Sequence, residues 1–408
     1  MPRVLLLIPS ASYRAPDFMA AAAKLDLEVV VGSDRRNPLA DDSGLVAFSF
    51  ADTERGAEEI EEFANRHPLD TIVAVDDGGA VLAARASRRL ELPHNPVAAV
   101  EATRNKAELR ARIARAGLPS PRSRVIPTST DPAAVEGLPY PLVLKPLALS
   151  ASRGVIRANT QTEFIAAFER IRSILATASA QAECGPELAD RVLVEEYIPG
   201  IEVSVEGLLD DGRLQLLAIF DKPDPLEGPH FEETIYVTPS RLSDTDQLAV
   251  AAAAEAACRA LGLTEGAVHA ELRINDEGIY AVDIAARSIG GLCSRTLSFG
   301  MGMSLEELIL RHATGADVPS YERESAAAGV MMIPIPRAGT LRSVEGLAAA
   351  EAVPLVESVT IEIRPGNELI PLPEGSEYLG FIFAGGDDPA AVEQALRDAH
   401  AALSFDIR

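Results

Sequence analysis

The strongest constraint on this chain lies between Val268 and Arg287. Val268-His269-Ala270-Glu271-Leu272-Arg273-Ile274 is followed by a short turn and then by Ile279-Tyr280-Ala281-Val282-Asp283-Ile284-Ala285-Ala286-Arg287. The two runs predict a β-hairpin whose loop is Asp276-Glu277-Gly278, a type I turn closed by a glycine at positive φ. That loop pairs Asn275 with Ile279 and sets Glu271 directly opposite Asp283. Strand alternation places His269, Glu271, Arg273, Ala281, Asp283, Ala285 and Arg287 on one face. Ala270, Leu272, Ile274, Val282 and Ile284 form the other, apolar face. Opposed carboxylates repel unless a cation lies between them. Two readings follow. Either the acids hold a divalent ion, for which oxygen-only ligation suggests Mg²⁺ carrying nucleotide phosphates, or Arg273 or Arg287 neutralises them and the hairpin is structural.

The rest of the chain sets the context. At 408 residues it is too long for one ordinary core. Val4–Ile8, an alanine-rich helical stretch, Leu27–Val31, Thr71–Val75 and Ala80–Leu90 alternate strand and helix, which predicts an open parallel sheet with ligand loops at its carboxyl edge. Tyr13-Arg14 and Asp76-Asp77 sit in those loops, as substrate contacts or as ordinary loop polarity. The breakers Leu92-Pro93-His94-Asn95-Pro96 mark a boundary. We expect an N-terminal α/β domain over 1–95, a two-lobed region over 96–318 with a lid lobe at about 120–195, and a C-terminal α+β domain over 319–408. Pro96–Gly117 carries two helical segments, 244–261 is an alanine-rich helix, and Ala176–Glu187 reads as an exposed connection. Residues 221–234 form a long loop, of the kind that serves as a lid or binding loop.

Composition removes several functions. The net charge is −24, which argues against nonspecific binding to nucleic acid or to an anionic membrane. No apolar run approaches the ~20 residues of a membrane span, and the short opening run Pro2–Ile8 lacks a cleavage-site pattern. Three cysteines without CxxC spacing argue against zinc and suit a reducing cytosol, so a cytoplasmic location is expected. No GxGxxG fingerprint follows the first strand, which argues against a nicotinamide or flavin cofactor there. Cys293 and Met301–Met303 read as packing residues.

Further motifs bear on phosphate chemistry. Lys145 closes the apolar strand Tyr140-Pro141-Leu142-Val143-Leu144-Lys145-Pro146, just before the small-residue loop Leu147–Gly154. A lysine beside free backbone amides is a plausible phosphate clamp, and equally a lysine that snorkels to solvent. Val194-Glu195-Glu196-Tyr197-Ile198 leads through Pro199-Gly200 into Ile201–Gly207, where Glu202, Ser204 and Glu206 share a face.

In this order and spacing, four runs resemble the ATP-grasp superfamily of carboxylate–amine ligases over about residues 96–312. They are Asn105-Lys106; Val143–Pro146 with Ser152–Val155; Val194–Ile198 with Gly200 and Glu202; and His269–Glu271 with Val282–Arg287. The resemblance implies an ATP-grasp fold and assigns roles. Lys106 and Lys145 would hold nucleotide phosphates, and the Ser150–Val155 loop, with Ser150, Ser152 and Gly154, would close over them. Glu195, Glu196, Tyr197 and Ile198 would meet adenine, and Glu202 the ribose. Glu271 and Asp283 would ligate Mg²⁺ or Mn²⁺, two ions in the family pattern, and Arg287 would lie by the acyl phosphate. Two departures stand out. Leu147–Ser152 replaces the usual phosphate-loop glycines, and Ala285 replaces an asparagine that commonly assists the second ion.

Asp221-Lys222-Pro223, Phe231–Thr234 and the tail from Gly329 are most similar to the L-amino-acid ligase (dipeptide synthetase) group. This implies attack of a carboxylate on ATP, an acyl phosphate, and displacement by an amine. Small-molecule carboxylate and amine substrates are the expected partners, with a homodimer as the base-rate assembly. Glu232 and Glu233 would receive a substrate ammonium, and Arg287, Ser288, Gly290 and Gly291 would line the substrate pocket. His269 is either a base for the amine or a structural partner of the acids. Two alternatives stay open: an enzyme of this fold acting on bicarbonate, formate or a non-amino carboxylate, and a non-catalytic ATP-binding module.

Overall fold

The computed structural model describes residues 1–10, 12–35 and 45–408; Ala11, within the first ligand loop, lies outside them. The opening strand β1 (Arg3–Leu7) is almost wholly apolar because both its faces are covered. It pairs in parallel with β2 (Glu28–Ser33) on one side and β4 (Thr71–Ala74) on the other, and β3 (Leu45–Ala47) pairs in parallel with β2. Continuous apolar strands of this kind are the mark of a parallel sheet buried by helices.

A second, antiparallel sheet has the order β5 (Ser123–Pro127), β8 (Arg191–Glu196), β6 (Leu142–Pro146), β7 (Ile156–Ala158). Helix Gln161–Leu175 buries Phe164, Phe168, Ile171 and Leu175 against it, at the spacing of one helical face, and the Thr160 hydroxyl accepts from Glu163 N–H to start the helix. Where an exposed connection was expected, helices Ala178–Cys184 and Pro186–Ala189 form. Thr177 caps the first, and Ala180, Cys184 and Ala189 are buried against this lobe. The polar composition there belongs to the outer face of a helix.

The largest sheet has eight strands. Its first five are β13 (Gly278–Ala285), β12 (Gly266–Asn275), β9 (Ile201–Asp210), β10 (Arg213–Asp221) and β11 (Ile235–Thr238). Strands Ala327–Ile333, Gly380–Gly386 and Val356–Ile361 follow in that order. The C-terminal strands therefore extend the sheet that carries the hairpin. Between β10 and β11 only Asp221 and Val237 pair, since Pro239 follows β11 and cannot donate to the ladder. Helix Asp244–Leu261 lies where the alanine-rich stretch predicted it, capped by Ser243 and ended by Gly262 at φ +83°. Met303 packs as expected, but Met301 is fully exposed, because it sits in the turn between two short strands. No helix among the described residues is long and apolar enough to cross a membrane.

Candidate active site

The hairpin forms with Glu271 opposite Asp283, but by a different route from the expected one. Asn275 pairs with Gly278 rather than Ile279, so the turn holds only Asp276 and Glu277, and Gly278 (φ +149°) opens β13. The register is then one residue short until a β-bulge between Leu272 and Glu271 restores it. Between turn and bulge the faces invert. Ala281 packs into the core beside Leu272, while Tyr280 and Val282 reach the cavity. The carbonyls of Ala281 and Val282 are taken by the buried guanidinium of Arg110, at 3.0 and 2.7 Å.

Neither arginine named as a counter-ion neutralises the two acids. Arg273 lies directly across from Glu202 on β9 and donates to it at 2.7 Å; a cross-strand partner is closer than a residue two positions along its own strand. Arg287, beyond the strand end, donates to Asp77 at 2.9 Å. Lys222 instead approaches Glu271 at 3.5 Å, His269 Nε2 approaches it at 3.5 Å, and Lys106 approaches Asp283 at 3.4 Å. His269 Nδ1 is hydrogen-bonded to the buried Glu206. Burial opposes a charge on His269, but Glu206 and Glu271 outweigh it and raise its pKa to about 9.

Lys106, Glu202, His269, Glu271, Arg273, Asp283 and Arg287 line one cavity of about 240 Å³ between the antiparallel lobe, the hairpin and the N-terminal sheet, and Lys222 and Glu206 are not part of its wall. Asn105 caps helix Lys106–Arg115 by accepting from Ala107 and Glu108 N–H, which fixes Lys106 at the helix's first position. Lys106 Nζ also donates to Leu149 O at 3.0 Å and so holds the small-residue loop. That loop, although poor in glycine, takes left-handed backbone at Ala151 (φ +54°) and Ser152 (φ +55°) as well as at Gly154. Such conformations cost roughly 1–2 kcal/mol per non-glycine residue and concentrate where function demands them.

Lys145 is buried and ion-paired with Glu195, which Arg110 also binds, at 2.8 Å. Burial and the nearby Arg110 charge lower the Lys145 pKa. Burial alone would raise that of Glu195, but Arg110 and Lys145 bring it down to about 2. Glu202 accepts from Lys222 at 2.9 Å as well as from Arg273.

The cavity wall includes Lys106, Lys145, Ser150, Ser152, residues 195–198, Glu202, His269, Glu271, Asp283, Arg287, Gly290, Gly291 and Glu233. Three expected residues stay outside it. Gly154 turns its N–H to Pro373 O at 2.9 Å, and the Ser288 hydroxyl takes the buried Arg14 guanidinium at 2.9 Å. Glu232 alternates away from the side of the loop that presents Phe231 and Glu233. Arg110, Arg104, Glu206 and Lys222 were not singled out for the site. Arg110 and Glu206 are charges within an otherwise ordinary helix and strand, distinguished only by burial, and Arg104 and Lys222 stand just past the ends of a helix and of β10. Asp77, one of two readings at its loop, reaches the site by binding Arg287, and it approaches Arg104 at 3.5 Å and Ser150 at 3.3 Å.

Residues 138–296 match the family described as ATP-grasp domain, with 19–94 matching the ATP-grasp N-terminal domain and 331–408 the L-amino acid ligase C-terminal domain 2. The chain belongs to the ATP-grasp superfamily. An alanine–anticapsin ligase of Bacillus subtilis is 30% identical to this ATP-grasp chain over 269 residues, 63% of this chain and 56% of that protein. The match thus spans little more than half of the relative's length. An L-amino acid ligase from Bacillus licheniformis shares the fold, with a TM-score of 0.83 at 24% identity over 100% of this chain and 99% of that one. A carboxyaminoimidazole ribonucleotide synthase from Aspergillus clavatus, solved with ATP, superposes with a TM-score of 0.73 at 17% identity over 98% of each chain.

Proposed function

We propose that this ATP-grasp chain is an ATP-dependent ligase that joins the carboxylate of an amino acid to an amine. The observation that carries this reading is the meeting, in one cavity, of opposed Glu271 and Asp283 with Lys106, Lys145 and Arg287. Buried and half-buried cations beside an oxygen-only acid pair suit a polyphosphate. The donor set fits a hard divalent ion: two carboxylates face the cavity, and Asp283 is 35% exposed. Glu271 and Asp283 would hold Mg²⁺ or Mn²⁺, which supplies charge neutralisation to the nucleotide phosphates when bound.

The substrate carboxylate oxygen attacks the γ-phosphorus of ATP and the bond to the β–γ bridging oxygen breaks, giving an acyl phosphate and ADP. The amine nitrogen then attacks the acyl carbon, the carbon–oxygen bond to phosphate breaks, and the nitrogen loses a proton. Lys106 and Lys145 hold the phosphates, and Arg287, oriented by Asp77, faces the transferred group. Tyr197 lies under the guanidinium of Arg157, 4.0 Å from ring centroid to Cζ, and forms part of the adenine wall. Tyr13, Phe231, Tyr236 and Tyr378 give the acyl end an aromatic lining, which favours a substrate with an apolar side chain over bicarbonate or formate.

The test is phosphate release from ATP and Mg²⁺ in a screen of amino-acid pairs. Release by at least one pair, with formation of the amide, supports the reading. ATP binding with no release above background for any pair leaves the nucleotide-binding module in its place.

A further inference from the structure

The family pattern calls for two divalent ions, and this chain lacks a side-chain ligand at Ala285, on the cavity face of β13 and paired with His269. The structure supplies a different cation nearby. Oxygens of Glu202, Glu233 and Glu271 lie within 4.8 Å of one another, the spacing of a ligand set. The ammonium of Lys222 is already among them. It donates to Glu202 at 2.9 Å and to Glu233, stands 3.5 Å from Glu271, and has the Tyr236 ring centroid at 5.1 Å. Three carboxylates match its three N–H donors. Its side chain is 3% exposed, and its backbone is held in place by the hydrogen bonds of Asp221 to Ser240 and Arg241 on one side and by the ring of Pro223 on the other.

We propose that Lys222 takes the place of one of the two divalent ions, so that the site holds a single ion between Glu271 and Asp283. This rests on the metal-ligand reading of those two residues given above. A second dication would have no side-chain ligand at Ala285 and would add its charge near a buried ammonium that cannot move into water, where Coulomb repulsion is barely screened. With Lys222 in place, Glu271 has an ammonium and a histidine beside Oε1, and its remaining capacity goes to the ion that Asp283 shares. The fixed +1 charge of Lys222 substitutes for a mobile +2 charge, and Glu202 and Glu233 serve to hold it. Lys222 is thus a positioning residue acting through Glu271.

Manganese counting tests this. The full-length chain is titrated with Mn²⁺ in the presence of the β,γ-imido analogue of ATP, and bound ion is read by electron paramagnetic resonance. The wild type is expected to retain one Mn²⁺ per chain with an uncoupled spectrum. Lys222→Met is expected to admit a second ion and to show the spin coupling of two ions roughly 3.5–4 Å apart; Lys222→Arg, which keeps the charge, stays at one. A lysine with a merely structural role would alter stability without altering this count. If Lys222→Met does not fold, Lys222→Gln carries the same comparison. Two coupled ions in the wild type, or a count of one in both uncharged variants, overturns the proposal. A wild type that binds the analogue but no Mn²⁺ overturns the metal-ligand reading itself, which is a separate result.

Discussion

The buried triad of Glu195, Arg110 and Lys145 gives a prediction whose size can be worked out. The Glu195 carboxyl lies at about 2 in the folded protein against an ordinary 4.5. A difference of that size corresponds to roughly 3 kcal/mol of stability at neutral pH. The sign follows from the direction of the shift. A depressed folded pKa contributes stability that is present above 4.5 and is lost as the pH falls towards 2. Glu195→Gln removes that contribution and leaves two buried cations without their counter-charge. The local assay is hydrogen exchange of the β8 amides, Arg191–Glu196, compared between variant and wild type at the same pH so that intrinsic exchange cancels. At pH 7 the variant should exchange on the order of a hundredfold faster. At pH 3.5 wild-type Glu195 has given up roughly 1 kcal/mol, so the ratio should shrink by about tenfold. A ratio below tenfold at pH 7, or one that does not change between the two pH values, refutes the coupling.

Three further outcomes follow from the site. Glu271→Gln and Asp283→Asn should each lower kcat for phosphate release by roughly a hundredfold or more, measured with a pair of amino acids that the wild type joins; a loss under threefold removes them from the machinery. Asp77→Ala frees Arg287 and the Arg104–Ser150 contact, and should lower kcat/KM at least about tenfold by misplacing groups at the reacting centre, with faster exchange of the 147–154 amides; unchanged exchange there contradicts a tie between Asp77 and that loop. Gly200 has φ +122°, and a Cβ there would collide with the Ile274 carbonyl oxygen, so Gly200→Ala should lower the melting temperature by about 2–4 °C or more, read by differential scanning calorimetry; a variant as stable as wild type contradicts the close approach of the β8–β9 connection to β12.

Much of the site was legible because it rests on local rules. Period-two alternation separates Val203 and Val205 from Glu202, Ser204 and Glu206, and the apolar side joins the core beneath the hairpin. A breaker pair sets the kink at Pro199-Gly200. Asn105 before an Arg- and Ala-rich segment marks a capped helix, and that cap places Lys106. The opposition of Glu271 and Asp283 also came from the sequence, although the turn and the bulge that produce it did not. Two one-residue departures cancel at those acids and show only between them, where Ala281 and Val282 exchange faces.

What the sequence could not specify is which charge neutralises which. Cross-strand and cross-lobe neighbours are set by register and by how the lobes meet, and no periodicity encodes them. The tertiary structure therefore assigned Arg273 to Glu202, Arg287 to Asp77 and Arg110 to Glu195, and it brought Lys222, 49 positions before Glu271, to the acid the arginines left unpaired. The local pattern made a cation at the hairpin obligatory, because two opposed carboxylates need one. Only the packing of the loop after β10 against β9 and β12 decided that an ammonium of the chain itself stands there.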